Sequence, residues 1–430
     1  MPRVPEVDAI VVGAGPAGSA TALLLARAGH AVALVDRERF PRAKPCGDCL
    51  SAAATPLLDR LGVLAAIEAE RPARLRGWRI TSPAGHAFFA AFAGCDDDPR
   101  TATALALPRD RLDHALVRAA RAAGAGFRAI HVTGLARDRH GRITGVQGRS
   151  PDGAPVELRG RLVVGADGLR SIVARRLGLA RAPGRLRKVS LTAHVTGIPD
   201  VDDAGEMHLA PHACAGLAPV AAPAAGDAPL CNLTLVVDAE RFGRDIARGA
   251  EAFFWAALGR FPRLAGRLDA ARAVRPRPDD AAPRLLASGP FDRPTRGVIG
   301  DGAALVGDAA GYYDPFTGQG IHQALAGAEI LAEEADAALR AGDLSARRLR
   351  RYARRHARLL RGPRTLQRLI EFVTARPALA DAAIRRLDRA PRAAAAIIAA
   401  TGDLRPPRTL AAPDVVLDLL RASNRQEPTA

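Results

Sequence analysis

At 430 residues the chain is long enough for two domains, or for one large domain carrying an insertion. Charged residues at 25% and hydrophobic residues at 48% describe an ordinary soluble globular protein. The net charge of +17 hints at nucleic acid, yet Lys44 and Lys188 are the only lysines; the rest is arginine in an alanine-rich chain. That pairing reads as a compositional bias of the encoding genome, so nucleic acid is not an expected partner.

Asp8–Val12 reads as a short apolar strand, Gly13–Gly18 as a turn, and Ser19–Ala28 as a helix ending at Gly29. "AVALVD", Ala31–Asp36, is a second apolar strand, so a βαβ unit opens the chain and predicts a parallel sheet covered on both faces. Ala9–Ala26 approaches the length of a membrane span, but glycines, a proline and polar residues break it, and no signal peptide precedes it. Five cysteines, odd and sparse, argue for a reducing compartment, so the protein is expected to be cytoplasmic.

Trp78–Phe92 alternates as antiparallel strands do, and Leu107–Ala125 returns to helical period. "RLVVGADG", Arg161–Gly168, is a buried strand running into a glycine turn. Val189–Arg284 breaks into short alternating segments, Gly302–Gly311 is one more strand and turn, and helical sequence dominates from Gly320. Antiparallel material thus interrupts the nucleotide-type segments twice. The predicted class is α/β: a discontinuous Rossmann-type domain, an inserted antiparallel sheet and C-terminal helices. The expected division assigns 1–75, 101–185 and 286–340 to the cofactor domain, 76–100 and 186–285 to the sheet domain, and 341–430 to the helices.

"GAGPAG" fits GxGxxG, follows a strand, opens a helix, and has Asp36 at the end of the next strand. Gly13 allows the tight turn, Gly15 lets backbone approach a pyrophosphate, and Gly18 lets helix and strand pack closely. The helix N-terminus, with Pro16 and Ala17, favours anionic phosphate, and Asp36, followed by Arg37, would accept hydrogen bonds from ribose hydroxyls. This motif alone leaves NAD and FAD both open.

"VVGADGLRSIVARRLG" and "LVGDAAGYYDPFTGQGIHQAL" resemble signatures of the FAD-dependent hydroxylase superfamily, the p-hydroxybenzoate hydroxylase fold, which includes geranylgeranyl reductases and flavin-dependent halogenases. The resemblance implies FAD, with Gly307 and Asp308 at its ribityl and diphosphate part. It sets Pro315, Gly318, Gln319, Gly320 and Ile321 against the isoalloxazine. Asp167 and Gly168 would border the cofactor, and Arg109 matches an arginine that relatives place near the flavin phosphates. No second GxGxxG is present, so NAD(P)H, the implied electron donor, would visit without a dedicated domain.

"FPRAKPCGDCLS" places Cys46 and Cys49 in a CxxC. A zinc site needs about four ligands, and no second Cys pair or close His pair accompanies it, so no metal is expected. A thioredoxin-like dithiol would want the motif at a helix start in a different fold. The segment resembles the FPR-x-K-x-CG-[DE] stretch of the geranylgeranyl reductase branch, which implies Cys46 beside the flavin's reactive face. Cys49 falls where relatives vary and reads as packing. Arg42 and Lys44 are placed to meet phosphate or to lower a thiol pKa.

The reductase motif PxxYxWxFP has its counterpart in "PHACAGLAP", with Cys214, Gly216 and Ala218 where the aromatics would stand. The substrate pocket is therefore wider or serves a different substrate. The halogenase WxWxIP motif is absent. Two reactions stay open: reduction of C=C bonds in a small apolar isoprenoid- or polyketide-like substrate, with Cys46 as proton donor, or hydroxylation of an aromatic or polyketide-like one. Gln319, where the reductases usually show Glu, leans toward hydroxylation. Finally, "RRLRRYARRHARLLRGPR", Arg347–Arg364, has no acidic residue and reads either as a solvated helix face or as a basic helix on anionic lipid.

Overall fold

The computed structural model describes residues 7–221, 228–274 and 283–423. Its first strand, β1 (Val7–Val12), is buried from Ala9 onward and runs into the glycine turn. Helix α1 (Pro16–Arg27) starts three residues before the expected Ser19. Proline occupies the first helical turn, where a missing N–H costs nothing because no carbonyl waits for it. Strand β2 (Val32–Asp36) completes the unit beside β1 in parallel.

The chain then leaves this sheet and makes β3 (Gly77–Thr81) and β4 (Ala87–Ala91), an antiparallel pair. It returns through helix α2 (Arg109–Ala122), β5 (Gly126–Ala129) and β6 (Pro155–Gly165). It leaves again for β7 (Lys188–Thr196), β8 (Ala204–Ala210), β9 (Ala213–Pro219) and β10 (Cys231–Asp238), backed by helix α3 (Ala250–Leu258). Strand β11 (Ala303–Leu305) rejoins the first sheet beside β6.

The nucleotide sheet runs in the spatial order β11–β6–β1–β2–β5, every one of these pairings parallel. β1, β2 and the end of β6 are apolar almost without a break because both faces are covered there, whereas the edge strand β5 exposes Gly126 and Arg128. Leu23 and Leu25 of α1 and Leu112 and Leu116 of α2 pack on one face. The second sheet runs β7–β10–β9–β8–β3–β4. It was expected to be antiparallel, and its pairings are, except that β8 lies parallel to β3. A whole excursion through the nucleotide sheet separates those two strands, so no hairpin constrains their direction.

Five α-helices follow among the described residues: α4 (Gly320–Arg340), α5 (Ala346–Thr374), α6 (Pro377–Asp388), α7 (Pro391–Thr401) and α8 (Pro413–Ser423). Helix α4 packs its alanines against α1, and α6 and α7 contribute Ile384 and Ile398 to a core shared with Phe88 and Phe92. The space between the two sheets, closed by these helices, is where the site lies.

Candidate active site

The cofactor end is built from backbone. A Cβ on Gly13 would sit 2.4 Å from the Ala166 carbonyl oxygen, and one on Gly18 would sit 1.8 Å from that of Gly13. Both positions therefore exclude any side chain, which presses the turn and α1 onto β6. Gly15 differs: a Cβ there would meet only Arg42, at 4.0 Å, so that residue opens onto the cavity. No side chain caps α1, leaving its first N–H groups directed at the space beside Gly15. Asp36 closes the turn from β2, its Oδ2 accepting from the Ala14 N–H at 2.8 Å and its Oδ1 from the Glu38 N–H at 3.0 Å.

Across the cavity, Gly307 takes a left-handed φ of +61° and presents Asp308. Burial pushes the Asp308 carboxyl up, opposed by the positive charges of Lys44 and Arg109, and it has no hydrogen-bond partner among the described residues. Burial, with Arg109 and Arg42 nearby, pulls Lys44 below the ordinary lysine value despite Asp308. An uncapped helix start, a carboxylate without a protein partner and a cation beside it make a donor and acceptor set that fits a dinucleotide cofactor.

The Cys46 segment bridges the two ends. Arg109 makes a bidentate pair with Asp113, Nε to Oδ1 at 2.8 Å and an Nη to Oδ2 at 2.9 Å, and also reaches the Cys46 sulfur. Arg42 stacks on Phe40, 4.7 Å from its centroid, and approaches Asp113 at 3.3 Å. The Asn232 amide donates to the Cys46 carbonyl at 2.7 Å and to Asp48 Oδ2 at 2.7 Å. The same carboxylate oxygen meets His194 Nε2 at 2.6 Å, while Asp48 Oδ1 is buried without a partner among the described residues. All five cysteines are free thiols. Burial, with the Asp48 carboxylate next to it, pushes the Cys49 thiol well up, which keeps it protonated and inert.

The other end of the cavity, which we propose below as the substrate end, is one face of the second sheet. Strand pairing sets Ser190, Thr192 and His194 of β7 beside Val236, Thr234 and Asn232 of β10. Next come Cys214, Gly216 and Ala218 of β9, then Met207 and Leu209 of β8, then Ile80 and Trp78 of β3. One half of this wall is therefore polar and the other apolar. It encloses a cavity of about 1530 Å³ that runs on to the glycine turn. Pockets for one small ligand typically take about 300–1,000 Å³, so this one has room for a cofactor and a substrate together. Burial pushes the Cys214 thiol up to about 12, with Lys188 working against it.

Most of the residues expected at the site line this cavity, from Gly13, Pro16 and Arg37 to Pro315, Gly320 and Ile321. Gly18 does not, since it is consumed in helix–strand packing. The Gln319 side chain does not line the cavity either: its amide donates to Asp403 Oδ1 at 2.6 Å. The Asp167 carboxylate lines the cavity but is engaged at the next helix start, accepting from Ser171 Oγ at 2.6 Å and the Ile172 N–H at 2.6 Å. Sequence reading missed Asp48, His194 and Asn232, and also Lys188, which joins Asp314 (3.0 Å) and Glu371. The signal was available in "SLTAHV" and "CNLTL", where polar residues recur at every second position of apolar strands. Among the described residues no group of three or more His, Cys, Asp or Glu is arranged to hold a metal ion.

A doubly covered parallel sheet with a glycine turn, a second sheet and a shared cavity define a flavin-dependent enzyme of the p-hydroxybenzoate hydroxylase-like superfamily. The chain belongs to the FAD binding domain family, whose sequence model matches residues 6–222, just over half of it. It is 29% identical over 374 residues to digeranylgeranylglycerophospholipid reductase 2 of Methanopyrus kandleri, covering 81% of each chain. It is 25% identical over 366 residues to the 1H-pyrrole-2-carbonyl-(peptidyl-carrier protein) chlorinase of Pseudomonas fluorescens, covering 79% of this chain and 78% of that one. The myxobacterial chondrochloren halogenase CndH shares its fold, with a TM-score of 0.77 at 22% identity over 97% of this chain and 96% of that one.

Proposed function

We propose that the protein uses NAD(P)H to reduce C=C bonds in an apolar, isoprenoid- or polyketide-like substrate. FAD, when bound, supplies the hydride-equivalent transfer that links NAD(P)H, which leaves as NAD(P)+, to the double bond. The observation that carries the reading is the Cys46 thiol, held at the seam between cofactor end and substrate face with Arg109 against its sulfur. Cys46 gives the proton that the other carbon of the double bond needs. Arg109, pinned by Asp113, holds the thiolate left behind until water restores the proton. Asn232 fixes the Cys46 carbonyl and with it the direction of the side chain. The apolar half of the wall suits a hydrocarbon chain, and small Gly216 and Ala218 leave it width. The likeness to the Methanopyrus reductase over most of both chains supports the same reading.

Oxygen-dependent hydroxylation of an aromatic or polyketide-like substrate is the second reading. The polar half of the wall favours it, because Thr192, Thr234 and Asn232 offer hydrogen bonds to a ring substituent. The test compares Cys46→Ser with Cys49→Ser, with and without dioxygen. Reduction predicts a loss of about 10²–10⁴-fold in product for Cys46→Ser alone, with FAD content and flavin reduction by NAD(P)H unchanged. Product that needs dioxygen and ignores Cys46→Ser would move the assignment to hydroxylation.

A further inference from the structure

The arginine-rich run noted in the sequence is not one surface. In the first half of α5, Arg351 pairs with Glu334 at 3.1 Å and Arg355 with Glu333 and Glu334 at 2.8 Å, which fastens that half to α4. The second half is different. Around the corner where α5 turns into α6, large apolar side chains face outward: Leu369 is 56% exposed, Phe372 52% and Leu379 39%. Ala375 to Leu379, including Pro377, is exposed without a break. Surface leucines scattered singly need no explanation, but three large apolar groups on one corner do.

This corner is also an opening of the cavity. Leu369 belongs to both surfaces, and Ile370, Val373 and Ala383 continue the lining inward from it. The charge around it is one-sided. Arg368, Arg376 and Arg385 are exposed there, with the Arg376 guanidinium lying 3.8 Å over the Phe372 ring. The two carboxylates of the same stretch are already engaged, Glu371 by Lys188 and Asp381 by the Ala84 N–H at 2.9 Å. Among the described residues no helix is long and apolar enough to cross a membrane.

We infer that the α5–α6 corner is a docking surface for an anionic lipid bilayer, through which an apolar substrate passes into the cavity without crossing water. Phe372 and Leu379 enter the headgroup–acyl boundary, and the arginines meet lipid phosphates as they snorkel outward. An acidic carrier protein would satisfy the arginines, but it would leave the exposed phenylalanine and leucines unexplained. The inference rests on the reading of the substrate as apolar. Its test needs neither substrate nor turnover, so its failure leaves that reading standing.

The measurement is co-sedimentation of the FAD-loaded protein with vesicles of one part phosphatidylglycerol to two parts phosphatidylcholine, and with phosphatidylcholine alone. The protein should partition to the anionic vesicles, and Phe372→Ser with Leu379→Ser should weaken that by about tenfold per side chain. Arg368→Glu with Arg376→Glu should weaken it by about fivefold or more per charge. Flavin content and melting temperature should match the parent, since these side chains are on the surface. A parent that stays in solution with both vesicles overturns the inference, and so does an apolar double variant that sediments like the parent. Binding to an acidic acyl carrier protein with no vesicle partition overturns it in favour of a protein partner.

Discussion

The two ends of the cavity are made by different means. At the cofactor end the contacts at Gly13 and Gly18 are backbone on backbone and bring main chain so close that no side chain fits, while a Cβ on Gly307 would meet the Ala17 methyl at 2.8 Å. At the substrate end the backbone is an ordinary twisted sheet, and the shape of the wall is set by which side chains its strands carry. A cofactor shared by many enzymes can be met by a fixed main-chain cradle, whereas the substrate wall can be recut one residue at a time. The first end should be brittle and the second tolerant.

The largest effect is expected from Gly18→Val. Its Cβ would overlap the Gly13 carbonyl, which is backbone and cannot swing aside. The variant should lose FAD and about 3 kcal/mol of stability, the upper part of the overpacking range, read from flavin absorbance and denaturant unfolding. A yellow variant of parental stability would break the contrast.

Acid should separate the ends by pH window. His356 lies behind the Asp308 turn, and burial, with Arg364 nearby, brings it down to about 4 from an ordinary 6.5. Its contribution is complete above pH 6.5 and is lost as pH falls to about 4, because only the unfolded chain takes the proton there. Glu206 sits on the far face of the second sheet. Burial would raise its carboxyl, but hydrogen bonds from His208 and from Arg267, at 2.8 and 3.0 Å, outweigh that and bring it to about 2. Its contribution is present above pH 4.5 and is lost as pH falls through about 2. Each amounts to roughly 3 kcal/mol. His356→Gln should flatten the stability slope between pH 6.5 and 4, and Glu206→Gln the slope between 4.5 and 2. Unchanged slopes in both would show that neither group is held as its surroundings imply.

Gly216→Trp should do least to the fold and still matter to the substrate. A Cβ there meets only the Met207 methyl, at 3.8 Å, and the rest of the ring extends into the cavity. Flavin binding should be unchanged, and kcat/KM for a bulky substrate should fall by about tenfold to a hundredfold. Parental turnover with the tryptophan in place removes β9 from the pocket wall.

The same contrast explains what could be read from the residues alone. "GAGPAG" and "LVGDAAG" are local, so the main chain of the cofactor end was legible down to the packing role of Gly18, with Asp36, Lys44 and Arg109 read from short motifs of their own. The substrate end depends on which strands become neighbours. Nothing near Asp48 announces His194 or Asn232, which come from strands 146 and 184 residues further on. Gln319 shows the limit from the other side: its motif was recognised, yet a partner at Asp403 decides where its amide points.

Strand β11 has a bearing on how this chain is born. It pairs with β6, which pairs with β1, yet Ala303 leaves the ribosome roughly 290 residues after β1. β6 itself is made about 140 residues before β11, so at ordinary rates of synthesis it presents an open, apolar parallel edge for on the order of ten seconds. The second sheet has most of its partners in consecutive strands and can form meanwhile. The wall that holds the substrate should therefore be complete in the nascent chain before the cradle that holds the cofactor, although the cradle's glycine turn is synthesised first.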